Sequence, residues 1–189
     1  YFQRGFKVVQ THMLSKNADS TYAKLDSLGH IYYIFYERIV KMQLGMSSAI
    51  LGLGIAIDFA LYREINYQDT IGGFDKKLQS QLARKVKQIG FAEDAIVYDE
   101  KVEDAALLQK QRTRWIYSYF GHFKEGWWLT VSGCRNLNAG QFLLGASMLR
   151  PPMILQILAM VILVIISWFV SPALLYGWAL IVLLFVLIF

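Results

Sequence analysis

The sequence holds a single cysteine, Cys134, so an intrachain disulfide is impossible and the usual cysteine-built zinc site has no ligands. Its three histidines, His12, His30 and His122, are scattered without ligand spacing and read as surface or packing residues. The run "GLGIAI" carries Gly52 and Gly54 but Ile57 where a dinucleotide fingerprint needs its third glycine, which excludes a Rossmann phosphate loop. The opening "YFQRGFKVVQ" has no charged stretch leading into an apolar one, so it is no signal peptide. Internal repeats and low-complexity tracts are absent. Acid is also scarce, with 14 Asp and Glu against 19 Lys and Arg and a formal charge of +5. That balance suits anionic phosphates or an anionic lipid surface and excludes neither.

What abounds is apolar surface. Hydrophobic residues make up 56% of the 189 residues, aromatics 15%, and mean hydropathy is +0.37. The excess gathers at the C-terminus. Met153 to Val170 is an 18-residue run in which only Gln156 and Ser167 are polar, long enough to span a bilayer. Ser171-Pro172 interrupts it, and residues 173–189 form a second apolar run of 17. Two transmembrane helices are therefore expected within 151–189, because the preceding part could not cover so much apolar surface as buried core. Lys124, Arg135 and Arg150 precede the first span, while the turn at Ser171 carries no charge. By the positive-inside rule, residues before the spans are cytoplasmic. Starting at Tyr1 and stopping inside "LLFVLIF", the chain reads as a fragment cut at both ends.

Upstream, "FKVVQT" (6–11) predicts a strand and "SKNADS" a polar turn. From Thr21 to about Leu44, apolar residues recur at three- and four-residue steps (Leu25, Leu28, Ile31, Tyr32, Phe35, Ile39, Met42), which predicts a helix. "SSAIL" predicts a short strand before Gly52 and Gly54. The Gly72-Gly73 pair breaks the chain, and Asp75 is placed to cap a basic amphipathic helix over 76–88. Its "ARKVK" face is either simply solvated or, beside a membrane, in contact with anionic lipid. "AIVYDEKVED" is strand-like through Tyr98, residues 104–120 are helical, and 121–150 mixes aromatics, glycines and charges as interfacial helices do.

The chemistry centres on "QKQRTRW". On a helix, Gln111, Arg114 and Trp115 at i, i+3 and i+4 share a face. A guanidinium fork matches the oxygens of a diphosphate and keeps its charge. An indole face matches the C–H surface of a sugar. An interfacial Trp and Arg anchoring the helix among headgroups is the competing reading. Asp75 opens a helix after a strand-loop segment, where a side chain projects into a crevice and could act as a general base. A plain helix cap is its alternative role.

In order and spacing, "GFKVVQ", "SSAILGLG", Gly72-Gly73-Phe74-Asp75 and Gln111-x-x-Arg114-Trp115, followed by apolar spans, resemble the membrane-embedded members of glycosyltransferase family 2. This group includes the cellulose, chitin and hyaluronan synthases and their bacterial relatives. The resemblance runs from about Phe6 to Pro152. It implies the C-terminal part of a GT-A-like α/β catalytic domain (1–120), then an interfacial segment (121–150) and transmembrane helices (151–189), in a multi-pass protein of the bacterial inner membrane. It also implies inverting transfer from a nucleotide diphosphate sugar, UDP-linked, to a glycan or lipid-linked acceptor, in the manner of polysaccharide synthesis. Asp75 takes the place of the catalytic base. Gln111, Arg112 and Arg114 fall to the diphosphate and Trp115 to the acceptor sugar, with Gly52 and Gly54 lining the acceptor side. Membrane lipids are the remaining partner, and nucleic acid is not expected.

Two departures matter. Phe74 stands where relatives carry Glu, and Lys77 where many carry another acid. "FAED" (Glu93-Asp94) imitates the acidic motif but follows the helix instead of opening it. No Asp-x-Asp occurs in the chain. The Mg²⁺ or Mn²⁺ that this motif holds in relatives is therefore expected to find its ligands upstream of Tyr1. These departures keep open a second reading, a non-catalytic membrane scaffold or partner subunit that retains the fold.

Overall fold

The computed structural model describes residues 1–65 and 73–188, with side chains described as far as 184. Gly72, the first glycine of the expected breaker, lies outside the described residues. The chain divides into two compact units, Tyr1–Arg150 and Pro151–Phe189.

In the first unit a short 3₁₀ turn (Phe2–Arg4) leads to strand β1 (Val8–Ser15). Helix α1 (Thr21–Ile34) follows, capped by the Ser20 side chain, which accepts from the Ala23 N–H. A π-helical stretch (Phe35–Val40) and the short α2 (Lys41–Gln43) continue it. After β2 (Ile55–Ile57) and α3 (Phe59–Arg63) come α4 (Phe74–Lys85) and β3 (Gly90–Asp99). Helices α5 (Ala105–Gly121), α6 (Phe123–Arg135) and α7 (Ala139–Leu149) complete the unit.

The sheet has the order β2-β1-β3, with β2 antiparallel and β3 parallel to β1. The β1–β3 register is in step from Val9↔Gly90 to Thr11↔Ala92 and resumes at His12↔Ile96, so residues 93–95 form a bulge in β3. A mixed sheet among helices is consistent with part of a GT-A domain. Val8, Ile50, Leu61, Leu78, Leu82, Ile89, Leu129 and Leu144 form its core between β1, α4 and the α6–α7 pair. Helices α6 and α7 pack almost backbone to backbone: a Cβ at Gly133 would overlap the Phe142 backbone, and one at Gly145 would overlap that of Thr130.

Four sequence expectations are corrected. β1 starts later and runs further than 6–11, because its partner β3 supplies hydrogen bonds out to Ser15. "SSAIL" is not a strand: its N–H groups go to single acceptors, Ser48 to Ile89 O (2.9 Å), Ala49 to Glu37 O (3.0 Å) and Ile50 to Gln79 Oε1 (2.7 Å). The expected helix over Thr21–Leu44 widens at Phe35–Val40. There the π turn accompanies inward placement of two consecutive polar residues, Glu37 and Arg38. Its apolar stripe faces outward, with Leu25, Leu28 and Ile31 each at least 60% exposed. Lastly, the α4 cap position belongs to Gly73, so Asp75 lies inside the first turn and the helix spans 74–85 in place of 76–88.

The second unit comprises α8 (Met153–Val170) and α9 (Pro172–Ile188). Ser171 is extended and proline follows, which separates the two. α8 is the one helix among the described residues long and apolar enough to cross a membrane, with mean hydropathy 2.8. Its polar Ser167 is satisfied within the helix by Leu163 O at 2.7 Å.

Candidate functional site

The site is built where the glycine turn, the start of α4 and the middle of α5 meet. Gln10 anchors the glycine turn. It is fully buried on β1, its amide nitrogen donates to Leu53 O (2.8 Å) and Gly54 O (3.2 Å), and its oxygen accepts from the Leu51 N–H (2.8 Å). One side chain thus holds both arms of the turn around Gly52. Gly54 itself has φ +70°, and a Cβ there would overlap Thr11 Oγ1 and approach Val97 Cγ2 to 3.3 Å. Only glycine fits that conformation and that approach.

Phe74, the first residue of α4, lays its ring edge 3.4 Å from where a Gly52 Cβ would stand. Gly73, at φ +76°, lets the chain enter α4 with its backbone against α5. A Cβ there would overlap Ser118 Oγ and come within 2.9 Å of Ser118 Cβ and 3.1 Å of His122 Cδ2. Ser118 lies on the same stripe of α5 as Gln111 and Trp115, at i, i+4 and i+7. The helix rises ~1.5 Å per residue, so Trp115 is about one turn and Gln111 about two turns from the Gly73 contact. The glycine turn, the Asp75 turn and the motif helix are therefore neighbours.

Within the motif, the structure separates the two arginines. Arg112 pairs with Asp26 of α1, and its guanidinium lies over the Trp115 ring, 4.4 Å from the centroid. Asp26 is in turn 3.4 Å from the buried Lys101 ammonium, which also pairs with Asp99 at 2.9 Å. Asn17 secures the same loop, accepting from the Lys101 N–H at 2.6 Å and donating to its carbonyl at 3.0 Å. Arg114 is exposed and has no ion pair among the described residues. Gln111 Oε1 is buried without a hydrogen-bond partner among them. Of the two arginines, Arg112 is the one that lies over the indole.

Beside Asp75, Lys76 points its ammonium toward the Tyr119 ring, 5.3 Å from the centroid, and burial holds its pKa below the usual lysine range against the opposing charge of Asp75. Glu93 and Asp94 stand elsewhere, in the β3 bulge. The Glu93 carbonyl meets His12 Nδ1 at 3.1 Å, and a hydrogen bond from the Tyr1 hydroxyl holds Asp94 below the usual carboxylate range.

A family profile described as Glycosyl transferase family group 2 matches residues 1–189. The chain belongs to that family. Comparison with curated proteins and with solved structures gives no match. Membership assigns the chain to glycosyltransferases, which transfer a sugar from a nucleotide sugar to an acceptor. Members of family group 2 typically use a divalent cation. No cluster of three or more His, Cys, Asp or Glu suited to such an ion occurs among the described residues.

Sequence reasoning missed Gln10 and Asp26. Gln10 left a usable signal, a glutamine in the apolar run "KVVQT" at a strand position that turns out to be fully buried. Asp26 left none, because its partner lies on a helix far along the chain.

Proposed function

We propose that this member of glycosyl transferase family group 2 is a membrane-bound, inverting enzyme that moves a sugar from a UDP-linked donor to the hydroxyl of a glycan or lipid-linked acceptor. Asp75 is the base that removes the acceptor proton as the hydroxyl oxygen attacks the anomeric carbon and the diphosphate departs with the bonding electron pair. Arg114, whose guanidinium no carboxylate among the described residues neutralises, takes the diphosphate. Gln111 supports it through its amide nitrogen, and its unpartnered oxygen is suited to a sugar hydroxyl. Arg112 adds charge from the position Asp26 gives it and steadies Trp115. The indole then offers its other face to the acceptor sugar. Gly52 and Gly54 line the acceptor side with backbone. α8, and α9 after it, tie the chain to the membrane, with residues before Pro151 on the cytoplasmic side.

The observation that carries this reading is the seating of Gly73 against Ser118, which supports placing Asp75 beside the helix bearing Gln111, Arg114 and Trp115. It is tested in the full-length protein in membranes by measuring UDP release with nucleotide-sugar donors. Asp75→Asn is expected to lower kcat by about 10²–10⁴-fold, the usual contribution of a positioned base. Undiminished turnover would remove Asp75 from the mechanism. The Phe74 ring occupies the approach to Gly52 where relatives present a carboxylate, which favours the scaffold reading. That reading is selected if the wild-type full-length protein binds its membrane partners yet releases no UDP with any donor.

A further inference from the structure

The α6 helix and the end of α4 enclose an open hollow of about 330 Å³, apart from the residues assigned to sugar transfer. It is lined by Arg84, Trp128, Val131, Ser132, Arg135 and Asn136, with no acidic residue among them. Arg84 and Arg135 come from the last turns of two different helices, α4 and α6. Neither has an ion pair or hydrogen bond among the described residues, so both guanidinium groups keep their charge and donors. Cations in these positions do offset the helix C-terminal dipole. That role alone does not require two of them on one hollow beside an exposed indole.

The remaining lining is also donor-rich. The Asn136 amide donates to Ser132 Oγ at 3.3 Å, which leaves the serine hydroxyl hydrogen and the second amide hydrogen for a ligand. Two planar forks with these donors match the oxygens of a phosphate ester. The rim differs in character, because it carries the indole of Trp128, about half exposed. Free phosphate or a soluble phosphoester gains nothing from such a rim. A phosphate whose ester chain lies in hydrocarbon does, and indole rings favour that depth.

We propose that this hollow holds the headgroup phosphate of an anionic phospholipid. Arg84 and Arg135 grip the phosphodiester, and Trp128 lies along the glycerol part. The site is independent of the transferase reading and stands whether or not the chain turns over a nucleotide sugar.

The test is a native mass spectrometry titration of the full chain in neutral-detergent micelles, with short-chain phosphatidylglycerol, short-chain phosphatidylcholine and inorganic phosphate as three separate probes. Phosphatidylglycerol is expected to be retained and phosphatidylcholine lost. Arg84→Gln and Arg135→Gln should each weaken phosphatidylglycerol about fivefold, the effect of one basic residue near an anionic surface, and the double variant about 25-fold. Both side chains are exposed, so the substitutions leave the core intact. Trp128→Ala should weaken phosphatidylglycerol while leaving any binding of inorganic phosphate unchanged. Equal retention of the two lipids, or phosphatidylglycerol binding that survives the double variant, overturns the site. Inorganic phosphate bound as tightly as phosphatidylglycerol overturns the assignment to lipid.

Discussion

The seating of Gly73 against Ser118 invites a direct test by Gly73→Ala. Gly73 has φ +76°, a left-handed conformation that costs a non-glycine residue roughly 1–2 kcal/mol. The new methyl group would also overlap Ser118 Oγ and sit 2.9 Å from Ser118 Cβ. The hydroxyl can rotate away, but the Cβ belongs to the helix and cannot, so overpacking adds about 1–3 kcal/mol. The substitution should therefore destabilise the chain by roughly 2–5 kcal/mol, or be relieved by lifting α4 off α5. Ser118→Gly removes the obstructing atoms and alone costs about 1 kcal/mol as a helix glycine. The double variant should recover the overpacking part, a coupling of about 1–3 kcal/mol, and leave the φ cost in place. Thermal unfolding of the four proteins in detergent gives the cycle, and UDP release by the full-length forms gives the functional counterpart. Costs that add to within about 0.5 kcal/mol would refute the contact and with it the placement of Asp75 beside the motif helix.

Other expectations follow from single groups. Gln10→Leu strands the Leu51 N–H and the Leu53 carbonyl, while the Gly54 carbonyl keeps the Thr11 N–H at 2.8 Å, so a loss of about 2–4 kcal/mol and raised proteolysis in the glycine turn are expected. Arg38 is 1% exposed, none of its three guanidinium nitrogens has a hydrogen-bond partner among the described residues, and burial lowers its pKa to about 10. Arg38→Met should thus stabilise by about 1–3 kcal/mol in thermal unfolding, and a clear loss instead would reveal a partner for the guanidinium. His30 is held neutral, its pKa lowered to about 4 by burial and then by Lys101 and Arg38. Between pH 6.5 and about 4 the unfolded chain binds the extra proton, so stability falls as pH drops through that window. After allowance for its partial exposure, the change is on the order of 1–2 kcal/mol, and His30→Leu should flatten it.

Local signals carried much of the fold. The α5 helix was legible as a helical run over 104–120, and the structure adds its cap, the Asp104 side chain accepting from the Leu107 N–H. α8 was legible because an 18-residue run with only Gln156 and Ser167 polar has few other uses, and its bounds coincide with that run. The period of Leu25, Leu28 and Ile31 announced a helix but not its orientation, since periodicity marks a stripe without saying what it meets. Asp75 was legible as a helix-opening acid. Its position inside the first turn depends on Gly73 adopting a positive φ, which follows from the packing of α4 on α5.

The sequence by itself determined the order of the motifs, the apolar spans and the chemistry on offer: a carboxylate, two guanidinium groups and an indole. Those are local properties of residue type and spacing. Tertiary structure alone decided which arginine pairs with Asp26 and lies on Trp115, which glutamine holds the glycine turn, and which basic residues keep their charge. Each of these depends on groups distant in the chain being brought within a few ångströms. Only in that arrangement do burial and partnership fix what a polar side chain is free to do.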